Sequence, residues 1–378
     1  MQKGYDMNYY RSKLVLIIFF VSLGTVSEKE SKGKDLQAGK IPVIYCTDLF
    51  HPHDDPDDHF DIACLYAIPE VDIKAVILDQ GKRQKEKPGA IPVEQLNYIT
   101  GKNVPCYIGL ADKLNSPEDK GLNQPAEYQG GVEQIIRILK ESAEPVVIIA
   151  VGSMRDVAAA YNREPELFRK KVDKLYIFIG EASNKDFIEY NANLDANAYR
   201  CIMQSDLPVY WVPCFDGGAW YNKGRASFWQ AQHADLLRDL APEVMNYFIY
   251  ALVVKAPKQN IEFLDKKVNE EYKRKLLAGK RNLWCTAVFT HIADRKIIWR
   301  GDRYISIPKR ASEKSGQVIK LFTFEDVSVA INEKGNTIDK PESAHKVKCF
   351  KVVDKDIYAE AMTSVTADML SHLGRQQH

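Results

Sequence analysis

Cys46-Thr47-Asp48-Leu49-Phe50-His51-Pro52-His53-Asp54-Asp55-Pro56-Asp57-Asp58-His59-Phe60-Asp61 is the stretch on which the reading of this chain turns. An apolar run, Ile41-Pro42-Val43-Ile44-Tyr45, leads into it, and an amphipathic stretch, Ile62 to Ile68, leaves it. That order reads as strand, loop, helix. Asp48, Asp54, Asp55, Asp57, Asp58 and Asp61 crowd the exit of a strand that should be buried, and they repel one another. A fold tolerates such a cluster most readily when a hard cation neutralises it, and an all-oxygen set suits Ca²⁺ or Mg²⁺ better than zinc. Aspartates at a helix start also act as caps that complement the helix dipole. Capping accounts for one or two of them, not for the whole set with Asp48 on the strand end.

Further apolar runs follow at Ile73 to Leu78, Val104 to Ile108, Val146 to Val151, Leu175 to Ile179 and Val209 to Val212. Like Val43 to Cys46, each is short, rich in Val and Ile, and continuous rather than alternating, which is how strands covered on both faces read. Helical periodicity fills the gaps at Val93 to Thr100, Gly131 to Glu141, Arg155 to Tyr161 and Asp195 to Ser205. This alternation predicts an α/β fold with a mainly parallel, doubly wound sheet. In such sheets ligands bind beyond the carboxyl ends of the strands, the edge that the acidic loop occupies. Ala231 to Glu271 is helical in pattern. Beyond Arg295 the texture changes: Tyr304 to Ile307, Val318 to Phe324 and Val347 to Val353 are β-like, and Lys334-Gly335-Asn336 reads as a turn. A small β-rich C-terminal appendage, closed by a helix from Ile357 to Leu373, is expected.

The composition is that of a globular protein, with 45% hydrophobic and 27% charged residues. A formal net charge of +1 provides no global field for nucleic acid or an anionic membrane, so specificity must reside in a local site. Near the N-terminus Lys3, Arg11 and Lys13 precede the apolar run Leu14 to Gly24, which is short for a bilayer span. Residues 1–27 are read as a secretory signal peptide and 28–40 as a polar linker, implying a secreted or periplasmic protein with no membrane attachment after cleavage. Residues 41–294 form the core and 295–378 the extension packed on it. The 7 cysteines are scattered and odd in number, so they read as small buried hydrophobes rather than a disulfide framework or a zinc site.

Asp48, followed by Pro56-Asp57-Asp58, resembles the opening motif of the nucleoside hydrolase superfamily (inosine-uridine preferring hydrolases), in a divergent secreted bacterial branch with a longer loop. The resemblance continues in order through Val104 to Gly109, Ile149 to Asp156, Ile177 to Gly180 and Glu189-Tyr190-Asn191-Ala192-Asn193-Leu194-Asp195. It covers Ile41 to Pro213, with a weaker match to Ala293. It implies hydrolysis of an N-glycosidic, ribosyl bond in a small-molecule nucleoside or glycoside. Calcium would be held by Asp48, Asp58 and the Val151 backbone carbonyl, with Asp57 as general base. Glu189, Asn191 and Asn184 would grip the sugar. No nucleic-acid partner is implied, and a homo-oligomer is left open.

Two departures from the family pattern stand out. The Asp that the family places on a late helix to complete its calcium site falls here on Trp284 or a neighbour, in Asn282-Leu283-Trp284-Cys285-Thr286. Asp54, Asp55 and Asp61 are the carboxylates available to compensate. The family's Asn after the second strand is replaced by Asp79 or Gln80, which with Trp284 join the substrate-side candidates. His51, His53, His59 and His291 are candidate acids for the leaving group, and solvated loop residues are the plainer reading of the first three. Trp211, Trp220, Tyr221 and Trp229 are candidates for stacking on a ring. The reading from a different class is a sugar- or nucleoside-binding protein with a degraded metal site and little or no catalysis.

Overall fold

The computed structural model describes residues 39–312, 316–339 and 346–374. The expected signal peptide, and the linker up to residue 38, lie outside the described residues. Each of the six apolar runs forms a strand: β1 Ile41–Thr47, β2 Val71–Leu78, β3 Cys106–Ile108, β4 Val146–Val151, β5 Val172–Phe178 and β6 Val209–Val212. Helices Asp57–Ala67, Ala90–Thr100, Gly130–Glu141, Arg155–Arg163 and Ala196–Gln204 stand where the periodicity predicts them.

The continuous apolar character of the strands has the expected cause. Val43 and Tyr45 of β1 point into one buried cluster, with Phe60, Phe248 and Met362. Ile44 and Cys46 point into another, with Ile135, Val157 and Ala160. The pleat alternates between two cores, so no strand residue can be polar for long. Six cysteines are buried and Cys106 is half-buried, and all are free.

Later strands are β7 Trp229–Gln232, β8 Lys280–Leu283, β9 Arg295–Trp299, β10 Tyr304–Pro308, β11 Gln317–Ile319, β12 Phe322–Val327, β13 Val329–Ile331, β14 Thr337–Asp339 and β15 Val347–Val352. The main sheet has eight strands among the described residues, in the order β12-β15-β6-β5-β4-β1-β2-β3. All neighbours are parallel except β12 and β15. The C-terminal segment is therefore more than an appendage. β15 adds to β6 in parallel, through Lys348 opposite Tyr210, and completes the core sheet. The closing helix, Tyr358–Ser371, buries Ala361, Met362 and Val365 in the first cluster. The stretch read as helical from Ala231 to Glu271 is broken: β7 enters it and pairs with β8, and helices His233–Leu237 and Pro242–Ile249 follow.

The strand order reverses at β1, which pairs with β2 on one side and β4 on the other. Parallel helices leave such a reversal on opposite faces, so a crevice opens at the carboxyl ends of β1 and β4. Asp48 follows β1 and Gly152 follows β4, so the fold delivers the acidic loop to that crevice.

Candidate active site

Above the crevice lies a pocket of about 760 Å³. Asp48, Asp57, Asp58 and Val151 line it, as do Glu189, Asn191 and Trp284, so the central residues predicted from sequence converge. Asp54 and Asp55 also reach it, whereas Asn184, Asp79, Gln80 and Asp61 are not among its lining residues.

Neither Asp57 nor Asp58 acts as a helix cap, although both sit in the first turn of Asp57–Ala67; Pro56 holds the cap position and no side chain bonds there. Asp58 turns back to the strand instead, accepting a hydrogen bond from the Thr47 hydroxyl at 2.6 Å. Thr47 in turn accepts from the Leu49 backbone N–H at 3.1 Å, which fixes the chain as it leaves β1. Asp48 is met by the Gln80 amide at 3.5 Å and by its own backbone N–H. Gly152 permits this packing: its φ is +107°, and a Cβ there would lie 2.9 Å from Asp79 and 3.3 Å from Asp48.

These carboxylates are poorly compensated. Burial first, and Asp79 second, push Asp48 up to about 7. Asp58 is raised by burial, then by Asp48 and Asp57, and Asp57 by burial and then by Asp55 and Asp61. A cation would reverse these shifts, since an opposite charge favours the ionised form. Among the described residues no three His, Cys, Asp or Glu side chains already close on one point as ligands. The donor chemistry nonetheless fits a hard ion: Asp48, Asp58 and Val151 offer oxygen only. The residues that fit are two carboxylates rather than three.

Trp284 explains the shortfall. It sits in the turn between β8 and helix Thr286–Ile292, not on the helix itself. Its indole N–H donates to the Cys214 carbonyl at 3.0 Å, so it offers nothing to an ion. Its ring joins an aromatic wall, with centroids 5.6 Å from Phe228, 6.0 Å from Phe215 and 6.3 Å from Trp220. Of the tryptophans flagged for stacking, Trp220 lines the pocket, while Trp211 and Trp229 are buried in the core. Tyr221 is exposed outside it.

Of the carboxylates suggested as compensation, two are ion-paired and the third is buried off the pocket. Asp54 is ion-paired with Arg83 and Lys87. Asp55 is paired with Arg281 at 2.7 Å. Asp61 is fully buried beside Cys285, pushed up to about 7 by burial. Asp79 is locked to the turn after β4, accepting from the Ser153 N–H at 2.8 Å and hydroxyl at 2.7 Å.

Glu189 caps the short helix Tyr190–Leu194, accepting from Asn191 N–H at 2.9 Å and Ala192 N–H at 3.1 Å, and it also ties down Gly180 N–H at 2.9 Å. Glu189 is thus a helix cap that still faces the pocket. Glu181 was not visible as a functional residue from sequence. Its buried carboxylate accepts from four backbone N–H groups, Ser183 at 2.8 Å, Asn184 at 2.9 Å, Gly217 at 2.7 Å and Gly218 at 2.9 Å. It joins the loop after β5 to the loop carrying Trp220. A lone acid directly after a strand end was the only signal.

The histidines do not serve the pocket. His51, His53, His59 and His291 are absent from its lining, and His291 instead bonds the Tyr176 hydroxyl at 2.8 Å. Two of the three histidines read as solvated are not: His51 and His59 are fully buried, while His53 is half-buried.

Known proteins resemble this chain in sequence and in fold. The pyrimidine-specific ribonucleoside hydrolases RihA of Escherichia coli O7:K1 and of Citrobacter koseri are each 28% identical over 188 residues, covering 45% of this chain and 58% of theirs. The match thus spans a little over half the length of these relatives. An inosine-uridine preferring nucleoside hydrolase from Bacillus anthracis superposes with a TM-score of 0.51 at 12% identity, over 87% of this chain and 99% of its own. The plant nucleoside hydrolase PpNRh1 gives 0.52 at 17%, over 88% and 99%, and at these identities the likeness is one of fold. The model of the inosine-uridine preferring nucleoside hydrolases matches residues 47–280, from the end of β1 to the start of β8, and the chain belongs to that family.

Proposed function

We propose that this protein hydrolyses the N-glycosidic bond of a small-molecule nucleoside or related glycoside, in a calcium-dependent reaction with Asp57 as general base. The observation that carries this reading is the convergence of Asp48, Asp57 and Asp58 at the β1–β4 crevice, beneath an aromatic wall. The wall suits a planar leaving group, through contact with Trp284, Phe215 and Trp220. The names of the RihA relatives point to ribonucleosides, pyrimidine ones first.

Asp57 makes no capping bond, and although burial and the neighbouring aspartates raise its carboxyl, a cation held beside it would favour the ionised form that takes a proton from water. Asp58 and Asp48, with the Val151 carbonyl, would hold the cation. When bound, that ion supplies the charge that acidifies the hydrolytic water and anchors the sugar hydroxyls. Thr47 orients Asp58. Glu189, whose oxygens are already engaged by backbone N–H groups, sets the position of Asn191 at the pocket wall, where the amide can meet the sugar. A secreted or periplasmic location belongs to the same proposal.

The test is ribose release from a panel of purine and pyrimidine nucleosides, with calcium and with chelator. Calcium-dependent release, lost in Asp57→Asn, supports the reading. Trp284 favours one second reading, a protein that binds a sugar or nucleoside without cleaving it. Ligand binding by calorimetry with no release from any nucleoside would establish that reading and overturn the first.

A further inference from the structure

A second cavity, of about 240 Å³, has a lining of one sign. His53, His233, Lys255, Lys275 and Arg281 supply its polar groups, and no carboxylate lines it. The chain as a whole carries a formal net charge of only +1, so this concentration of positive charge is local. Burial first, then Lys255 and Arg281, push the His53 imidazole down to about 4, so the field of these cations is felt in the cavity wall. The acids that partner two of them stand outside the lining: Asp55 lies 2.7 Å from Arg281 and Glu271 lies 2.6 Å from Lys275. The second is an exposed pair within one helix, of the kind that contributes little and is readily exchanged.

Four nitrogens of these side chains are buried without a hydrogen-bond partner: both of His53, Nε2 of His233 and Nε of Arg281. Native structures rarely leave such groups unmet, and an unseen water or ion is a standard cause. His233 identifies the occupant. It is 6% exposed, and its Nδ1 lies 2.8 Å from the Leu276 carbonyl, which can only accept, so Nδ1 carries the proton. Burial lowers the pKa of this ring, so near pH 7.5 it is neutral and Nε2 is an acceptor. Arginine and lysine nitrogens only donate. An occupant that satisfies the whole lining must therefore offer negative oxygens to the cations and one hydroxyl to His233. Sulfate has no hydroxyl. The dianion of a phosphate monoester has lost its proton above a second pKa of about 6. Hydrogen phosphate offers both.

We propose that this cavity binds one inorganic hydrogen phosphate ion, between Arg281, Lys255 and His233. Its volume is below the roughly 300–1,000 Å³ of pockets that take drug-sized ligands, and suits a small ion. Arginine and lysine are complementary phosphate binders, the first through its planar fork and the second as a point charge. The four unmet nitrogens have no open surface, so the exposed Lys255 and Lys275 make the first contact and the side chains behind them must part for the ion to reach His233 and Arg281. Arg281 also holds Asp55, which lines the carboxylate pocket, so one guanidinium serves both places. Neither hydrolysis nor calcium is required for the site.

The test uses the full chain, dialysed free of phosphate and sulfate, titrated with sodium phosphate by calorimetry at pH 7.5 and constant ionic strength. One equivalent should bind. Sulfate and glycerol phosphate, which lack the hydroxyl at this pH, should bind about tenfold more weakly or worse. Lys255→Gln and Arg281→Gln should each weaken phosphate about fivefold or more. Lys140→Gln, which removes the same charge from helix Gly130–Glu141, should leave affinity within about twofold. His233→Gln, whose amide can donate as well as accept, should narrow the preference of phosphate over sulfate. Should His233→Gln fail to fold, Lys255→Gln, on an exposed side chain, carries the reading. No saturable equivalent, or unchanged affinity in Lys255→Gln, overturns the site. Sulfate or glycerol phosphate binding as tightly as phosphate also overturns it, because His233 would then select nothing.

Discussion

Two acidic groups share the carboxyl edge of the sheet, one strand apart, and are treated in opposite ways. Asp79, after β2, and Asp195, at the start of helix Ala196–Gln204, flank Arg155, after β4, whose Nε lies 3.8 Å and 3.7 Å from them. Asp79 also accepts two bonds from Ser153, and Asp195 accepts from Leu114 N–H at 2.8 Å and Ala198 N–H at 3.0 Å. After β1, Asp48, Asp57 and Asp58 share one threonine hydroxyl, a distant amide and the backbone N–H of Asp48. The first group is a closed network that holds the turn after β4 in place. The second is left short of positive charge and open to the pocket. Unmet electrostatic demand marks the place where a ligand and a reaction belong, and a buried acid that is fully partnered is part of the frame.

The sharpest way to break this contrast is to remove the cation of the closed group. Arg155 is 4% exposed, and its guanidinium also bonds the Ala111 carbonyl at 3.1 Å and the Leu194 carbonyl at 3.2 Å. Arg155→Met strands two buried acids and should destabilise the fold by about 3–5 kcal/mol, read by urea denaturation. A loss below 1 kcal/mol would mean that the two groups do not differ as described. The open group should behave in reverse: Asp57→Asn removes a repelling charge, so stability should hold or rise. Turnover should fall about a hundredfold or more, with nucleoside binding kept. Parallel loss of binding and turnover would make Asp57 a ligand of the metal or sugar.

How much of this contrast was legible in the sequence depends on distance along the chain. The six parallel strands and the Asp48, Asp57, Asp58 convergence follow from local signals: continuous apolar runs and carboxylates at a strand end. Non-local pairings were not legible. β15 joins β6 across more than a hundred residues, and nothing in Val347 to Val352 distinguishes a decorative strand from an integral one. Glu181 is a similar case, because its role lies in Gly217 and Gly218, which carry no side chain to signal it. Asp61 shows the opposite error. Counted with the loop acids by proximity in sequence, it lies one helical turn deeper on the face that Asp57 and Asp58 share, fully buried beside the Cys285 thiol and off the pocket, and its charge still raises both of them.

The pH dependence sharpens the same comparison. Asp48 has its folded pKa raised to about 7, so its ionisation opposes folding. The sign is that of a group binding its proton more tightly when folded: stability is highest below the unfolded value near 4 and falls as pH rises through about 7. Asp195 of the other group, at about 6, and Asp156 next to Arg155, also at about 7, add to that fall. Calcium separates them. At a free concentration a hundredfold above Kd it should stabilise by about 2.7 kcal/mol, and the gain should grow from pH 5 to pH 8 as Asp48 ionises. Asp58→Asn should abolish the gain. A melting temperature indifferent to millimolar Ca²⁺ at pH 8 would remove the metal from the pocket.

The smallest effects belong to the loop acids. Asp54 and Asp55 line the pocket but are held by Arg83, Lys87 and Arg281, on exposed side chains. Solvent-exposed ion pairs contribute about 0–1 kcal/mol, so Asp54→Asn and Asp55→Asn should change stability by no more than that. Their effect on calcium decides whether the loop makes up for Trp284. Held by their own cations, they should leave affinity within about threefold of the wild type, while Asp58→Asn abolishes binding. With only two carboxylates at the ion, wild-type affinity should then sit near the millimolar end of the calcium range. A large loss of affinity in Asp54→Asn would mean that the loop swings from Arg83 to the ion when calcium arrives. Tight wild-type binding with both loop variants silent would instead point to a further ligand beyond Asp48, Asp58 and Val151, and titration calorimetry on the wild type and the three variants separates these outcomes.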